Sequence, residues 1–157
     1  MLERSEIRAL FERQGVLSAT ELQSRFEVYA EQYALAIDVE AKLVLRIART
    51  QLYPAVMGYL EQLTRSLRDQ QELGLPPDRT LVKQIAQGSS ALLRHCQELE
   101  EAIQGTPHGS LDVLSRHCAD VLLPLMGAVR QAADALEVIV DDAVWPLPTY
   151  QELLFMR

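Results

Sequence analysis

Residues 18–73 read SATELQSRFEVYAEQYALAIDVEAKLVLRIARTQLYPAVMGYLEQLTRSLRDQQEL. Large apolar residues recur along this stretch mostly three or four positions apart, which is the spacing of one face of an α-helix. They are Leu22, Phe26, Tyr29, Tyr33, Ile37, Val44, Ile47, Val56, Leu60, Leu63 and Leu67. A second apolar row lies off this stripe and consists of Val28, Leu35, Val39 and Leu43. A helix that is apolar on more than one side needs neighbours on more than one side, so we expect the rest of the chain to pack around it.

Both ends of this long helix carry specific signals. Ser18, followed three residues later by Glu21, forms a capping box, in which each side chain accepts a hydrogen bond from the other residue's backbone amide. Pro54 removes one amide donor near the middle, and because the apolar spacing resumes at Val56 we predict a kink there rather than a break. Residues 74–77 read GLPP, a sequence that ends the helix at residue 73.

The remaining sequence predicts further helices and a tail. A short amphipathic helix is expected over residues 2–14, and a helical hairpin over residues 78–142 turns near residue 107. The second helix of the hairpin is expected to run from about Ser110 to Asp142 and to bend at Pro124, and Thr106 is a candidate for its cap. The sequence therefore predicts an all-α fold, an antiparallel bundle of long helices that forms a single domain over residues 1–157. Within it we assign residues 1–17 to the N-terminal helix and turn, 18–73 to the long kinked helix, 78–142 to the hairpin and 143–157 to the tail.

The tail contains the only tryptophan of the chain, Trp145. Alternating prolines hold this residue and Leu147 in an extended conformation, and Thr149 with Glu152 makes a second capping box that opens a last turn. We predict that such a tail docks, either onto this bundle or onto another subunit. The residues that we predict to have structural or interaction roles are Ser18, Glu21, Pro54, Trp145, Pro146, Pro148, Tyr150 and Phe155.

Composition excludes several classes of function. The net charge of −7 argues against general binding to a phosphate backbone, so we expect no nucleic-acid partner. No apolar run approaches the roughly 18 residues of a membrane-spanning helix, and the N-terminal residues are too charged for a secretory signal. We therefore expect a cytoplasmic protein with no membrane contact. Two cysteines in 157 residues do not make a disulfide framework.

Three groups of side chains are candidates for chemistry. His95-Cys96 and His117-Cys118 suggest a zinc site, but adjacent residues point about 100° apart on a helix and converge poorly on one metal. Buried core thiols are the favoured interpretation, with a facing redox-active cysteine pair as an alternative. The acidic residues Glu98, Glu100 and Glu101 are expected to form a solvated face. The tyrosines Tyr29, Tyr33, Tyr53 and Tyr59 are expected to be core residues with their hydroxyls at the rim.

Several segments resemble the C-terminal region of type III glutamine synthetases. They are Leu10-Phe11 and residues 15–22 (GVLSATEL), 25–27 (RFE), 37–41 (IDVEA) and 48–55 (ARTQLYPA). The ending, residues 144–150 (VWPLPTY) and 152–155 (ELLF), is similar to the terminus of the same family. Order and spacing are kept across both ends of the chain, whereas residues from about 66 to 120 match only as a helical pattern.

The resemblance implies a function for the parent enzyme rather than for these residues alone. Enzymes of the family join glutamate and ammonia at the expense of ATP, with magnesium or manganese, in large double-ring oligomers. Their catalytic residues belong to an upstream region, so the resemblance assigns no catalytic, cofactor-binding or metal-binding residue to this chain. It implies a non-catalytic structural and oligomerisation domain in nitrogen assimilation, whose partners are the catalytic region and neighbouring subunits of a homo-oligomer. Met1 is then expected to be a truncated start rather than the natural N-terminus of the enzyme.

An alternative remains open. The chain is then a stand-alone helical bundle that serves as a protein-interaction or regulatory module. A stand-alone enzyme is disfavoured, because the sequence contains no phosphate-binding glycine loop, nucleophile elbow or HExxH helix.

Overall fold

The computed structural model describes residues 5–148 and 150–155, and within them the chain is helical with no strand. The helices are α1 (Ser5–Arg13), α2 (Ala19–Ile47), α3 (Tyr53–Glu72), α4 (Thr80–Gln104), α5 (Leu111–His117), α6 (Leu123–Glu137) and α7 (Tyr150–Leu154). Two π-helical turns, π1 (Ala48–Leu52) and π2 (Cys118–Leu122), connect α2 to α3 and α5 to α6. The predicted all-α helical bundle is confirmed.

Each mid-helix proline follows a π-helical turn. Pro54 is the second residue of α3, directly after π1, and Pro124 is the second residue of α6, directly after π2. At Pro54, the Tyr53 amide donates to the Ala48 carbonyl, five residues back, so the chain is helical from α2 through α3 without interruption. The turn π2 stands in the same relation to Pro124. Such turns accommodate a residue that cannot join the regular hydrogen-bond ladder. The kink predicted at Pro54 stays a prediction, but the continuity of the helix is observed.

Two glycines end helices in the left-handed conformation. Gly15 follows α1 with a φ of +61°, and Gly74 follows α3 with a φ of +77°. At each end a backbone amide beyond the glycine bonds back into the last helical turn, Val16 to Phe11 and Leu75 to Gln70. This pattern satisfies carbonyls that a helix end leaves unpaired.

The core lies where α2, α4 and α6 meet, and the most extensive contact joins α4 to α6. On α4 the residues Ile85, Leu92, Cys96 and Leu99 are inaccessible to solvent, and Ser89 is also buried. On α2 the prediction was partly wrong, since Tyr29 and Tyr33 are exposed. The buried face of this helix carries Leu22 and Ile37 together with small residues, namely Ala30, Ala34, Ala41 and, in π1, Ala48.

The second half of the predicted hairpin also differs from expectation. Its first helix, α5, is capped by Ser110, whose hydroxyl accepts from the Val113 amide at 3.4 Å. Thr106 is not the cap, because its hydroxyl donates to the Ile103 carbonyl at the end of α4. The last long helix ends at Glu137 rather than at residue 142. A turn then follows that allows Val140 to be buried.

Candidate interaction surface

The outer face of α2 carries a row of exposed aliphatic side chains, which we call the outer row. Its members are Val28, Leu35, Val39 and Leu43, with exposed fractions of 48%, 63%, 55% and 51%. The opposite face of the same helix is buried against α4, α5 and α6. We predicted that this helix needs neighbours on more than one side. Within the part of the chain that the structure describes, it has neighbours on one side, and the outer row is left exposed.

The capping box at the start of α2 is present. The Ser18 backbone amide donates to Glu21 Oε2 at 2.8 Å, and the Glu21 amide donates to Ser18 Oγ at 3.3 Å. The hydrogen bond from the Ser18 backbone, followed by the one from its hydroxyl, lowers the pKa of the Glu21 carboxyl. These two residues fix where α2 begins, and hence which of its residues face outward.

The tail divides into an anchored part and an exposed part. Trp145 is 8% exposed and belongs to the core cluster, together with the half-buried Leu147. The turn that leads to Trp145 is held by Asp141, whose carboxylate accepts from the Ala143 amide at 2.9 Å. Phe155, in contrast, is 74% exposed. The tail thus docks onto this bundle through its tryptophan, whereas its last described residues contact solvent.

The other predicted residues of the tail are placed as follows. Pro146 and Pro148 are exposed, as is Pro54 on the long helix. The Tyr150 side chain lies outside the part that the structure describes, and so does Thr149, which the second predicted capping box requires. The interaction roles predicted for these residues stay predictions.

The two cysteines are core residues. Cys96 and Cys118 are buried and unbridged, and burial raises the pKa of both thiols. The histidine beside each has another partner: His95 Nδ1 lies 2.9 Å from Glu98 Oε2, and His117 Nε2 lies 3.1 Å from the Ala102 carbonyl. Across residues 5–148 and 150–155, no three His, Cys, Asp or Glu side chains are grouped so that they could hold a metal ion. The prediction that the thiols pack in the core is confirmed.

One long-range ion pair was missed by sequence reasoning, which placed Glu100 on a solvated face. Arg49 Nη2 lies 2.7 Å from Glu100 Oε2, and each side chain is about one-third exposed, at 34% and 37%. This hydrogen bond, which Arg49 donates and Glu100 accepts, lowers the pKa of the Glu100 carboxyl and raises the pKa of the Arg49 guanidinium. The pair ties π1 to the end of α4. No local pattern indicates it, because the two residues are 51 positions apart.

Part of the chain is similar to a known protein family. Residues 1–71, which include α1, α2, π1 and most of α3, match the family model described as the glutamine synthetase C-terminal domain. No helix within the described ranges is long and apolar enough to cross a membrane.

Three relatives match nearly the whole chain. A glutamine synthetase of Bacteroides fragilis (strain YCH46) is 25% identical over 162 residues, which cover 98% of this chain and 22% of the relative. A type-3 glutamine synthetase of Dictyostelium discoideum is 29% identical over 157 residues, which cover 94% of this chain and 21% of the relative. A glutamine synthetase of Butyrivibrio fibrisolvens is 26% identical over 156 residues, which cover 93% and 22% respectively. The chain therefore spans about a fifth of the length of these relatives.

Proposed function

We infer that this chain, which matches the glutamine synthetase C-terminal domain model over residues 1–71, is a non-catalytic structural and oligomerisation domain of a type III glutamine synthetase. In this proposal the parent enzyme, a cytoplasmic homo-oligomer, joins glutamate and ammonia using ATP and a magnesium or manganese ion. The domain contributes no residue to that reaction. It braces the catalytic region and the contacts between subunits.

The observation that carries the proposal is the outer row on α2. Four large aliphatic side chains are exposed on one face of this helix, and groups of exposed apolar side chains mark interaction sites. The helix is continuous with π1 and α3, which gives the row a rigid support. About four-fifths of the length of the relatives lies outside the region that matches this chain, so the proposed partner has ample surface to cover the row.

The direct test replaces the matching 162-residue region of the Bacteroides fragilis enzyme with this chain. We expect the chimera to assemble and to make glutamine, whereas the same chimera with Leu35→Glu and Val39→Glu should assemble poorly, because each carboxylate would have to be buried without a partner. A chimera with Gln62→Glu and Gln71→Glu is the matched control, since it adds the same two charges at exposed positions of α3. Light scattering measures assembly, and a coupled ATP assay measures activity.

Two outcomes reject the proposal. The first is a Leu35→Glu, Val39→Glu chimera that assembles as well as the control, which would remove the outer row from any interface. The second is ATP-dependent glutamine formation by the purified chain alone, which would make it an enzyme. The substituted chain should itself melt as the unsubstituted chain does, because substitutions at exposed positions usually change stability by less than about 0.5 kcal/mol.

A further inference from the structure

A cavity of about 290 Å³ lies between the middle of α2 and the segment formed by α5 and π2. Its floor consists of the buried residues Ala34, Cys118 and Leu122. Its rim includes the carboxylates of Glu31 and Asp38, which are two helical turns apart on α2. The cavity is thus apolar at the bottom and acidic at the mouth.

Two features of the backbone and sequence create this space. On α2 the residue that faces the cavity floor is Ala34, where a longer aliphatic side chain would fill the opening. On the other side the floor is made by π2, whose wider helical turn is marked by the bond from the Leu123 amide to the Cys118 carbonyl. Single π-helical turns occur frequently at functional sites. The cavity therefore follows from the local structure of both walls.

The two rim carboxylates are not equivalent. Asp38 Oδ2 lies 2.6 Å from the Lys42 ammonium, so its charge is already paired. Glu31 has no ion-pair or hydrogen-bond partner among the side chains that the structure describes, although it stands directly beside the apolar floor. A single open carboxylate next to an apolar space favours a ligand with a positive head and an apolar stem. An anionic ligand would be repelled by Glu31, and a neutral one would leave it unused.

We propose that this cavity binds a small primary alkylammonium ion, with its ammonium on Glu31 and its stem over Leu122. Binding pockets are typically apolar with a few placed polar groups, and 290 Å³ is at the lower end of their range. It corresponds to the volume of about ten water molecules at about 30 Å³ each, which suits a stem of about five or six carbons. This site lies within one copy of the chain, and Leu35 is the one residue of the outer row that lines it.

The test titrates the purified chain with n-hexylammonium, and with n-hexanoate and n-hexanol as probes of equal stem length. Methyl NMR spectra follow Ala34 and Leu122 at the floor. We expect n-hexylammonium to shift these methyl signals with saturation in the millimolar range, as befits a ligand of about seven non-hydrogen atoms. n-Hexanoate should leave them unchanged, and n-hexanol should bind at least several times more weakly.

Matched variants locate the ammonium. Glu31→Gln should weaken n-hexylammonium binding about tenfold or more, the usual loss when a charged hydrogen-bond partner becomes neutral. Glu27→Gln removes the same charge one turn earlier, at an exposed residue that does not line the cavity, and should leave the affinity within about twofold. Equal affinities for the ammonium and the alcohol, shifts confined to residues elsewhere, or equal effects of the two variants would each overturn the proposal. Leu35 belongs to both the outer row and the cavity lining, but these binding measurements leave it unsubstituted, so the two proposals fail or stand separately.

Discussion

Gly88 lies where α4 meets α6, and its replacement by alanine tests how closely these helices pack. A Cβ atom at residue 88 would lie 2.7 Å from Leu136 Cδ2 and 3.2 Å from Leu136 Cγ. Carbon atoms pack favourably at about 3.5–4.0 Å, so the Leu136 side chain would have to move by roughly 1 Å. Leu136 is 0% exposed, and its movement therefore disturbs the neighbouring core.

Two opposing terms set the expected change in the free energy of unfolding. Alanine in place of a mid-helix glycine stabilises a helix by about 1 kcal/mol, whereas extra atoms in a packed core cost about 1–3 kcal/mol. We expect the packing term to prevail, because both Cδ2 and Cγ of Leu136 are too close. Gly88→Ala should then lower the free energy of unfolding by about 1 kcal/mol and the Tm by about 2–4 °C. Gly58→Ala and Gly127→Ala are matched controls with no atom within 4 Å of the added Cβ, and each should be stabilising by about 0.5–1 kcal/mol.

Urea unfolding followed by far-UV circular dichroism measures all three variants. A Leu136→Ala background supplies the decisive comparison, since there the added Cβ has room and Gly88→Ala should become stabilising, as in the controls. If Gly88→Ala stabilises the unsubstituted chain as much as Gly58→Ala does, Leu136 can rotate away at little cost. The inference of a close-packed contact between α4 and α6 would then be wrong.

Four further outcomes can be measured on the purified chain. Trp145→Ala should lower the free energy of unfolding by about 3 kcal/mol or more, because the indole is buried in the bundle; an altered oligomer size with unchanged melting would make the tail an interface element instead. Ser18→Ala should cost about 1 kcal/mol by removing the N-cap of α2, and a thermal melt identical to that of the unsubstituted chain would contradict the role of the capping box. The hydrogen bond from Arg49 lowers the pKa of Glu100 below the ordinary 4.5, so the ion pair contributes its full stabilisation above that pH and loses it as the pH falls through the lower pKa of the folded state. The difference in stability between the unsubstituted chain and Glu100→Gln should therefore be constant near neutrality and shrink in acid. A difference that grows in acid would refute the assignment. Cys96 and Cys118 should resist a thiol-specific reagent at neutral pH until the chain unfolds, since burial raises both pKa values; rapid labelling of the native chain would show that the thiols are accessible.

The sequence is sufficient wherever local chemistry sets a boundary. Ser18 and Glu21 define the start of α2 through hydrogen bonds between residues three apart, and Gly15 and Gly74 end helices through a backbone conformation that glycine readily adopts. The sequence is insufficient where a contact depends on residues that are far apart along the chain. The Arg49–Glu100 pair depends on how α4 lies against π1, and neither residue differs in type or spacing from the solvated charges around it. The cavity beside Glu31 likewise requires two separate segments of the chain to be placed together.

The buried face of α2 shows why the spacing of large apolar residues is not enough to predict which side of a helix is buried. Hydrophobicity places the buried face on side chains such as Tyr29 and Tyr33, yet burial falls on Ala34 and Ala41. A helix that is contacted by α4, α5 and α6 lies close to its neighbours, and small side chains permit that approach, whereas large ones would hold the helices apart. Of the large aliphatic residues of α2, Leu22 and Ile37 are buried, whereas those of the outer row are turned outward. A helix whose buried face is rich in small residues and whose outer face carries large aliphatic residues has the composition expected of a helix between two layers, which is what the proposed function requires.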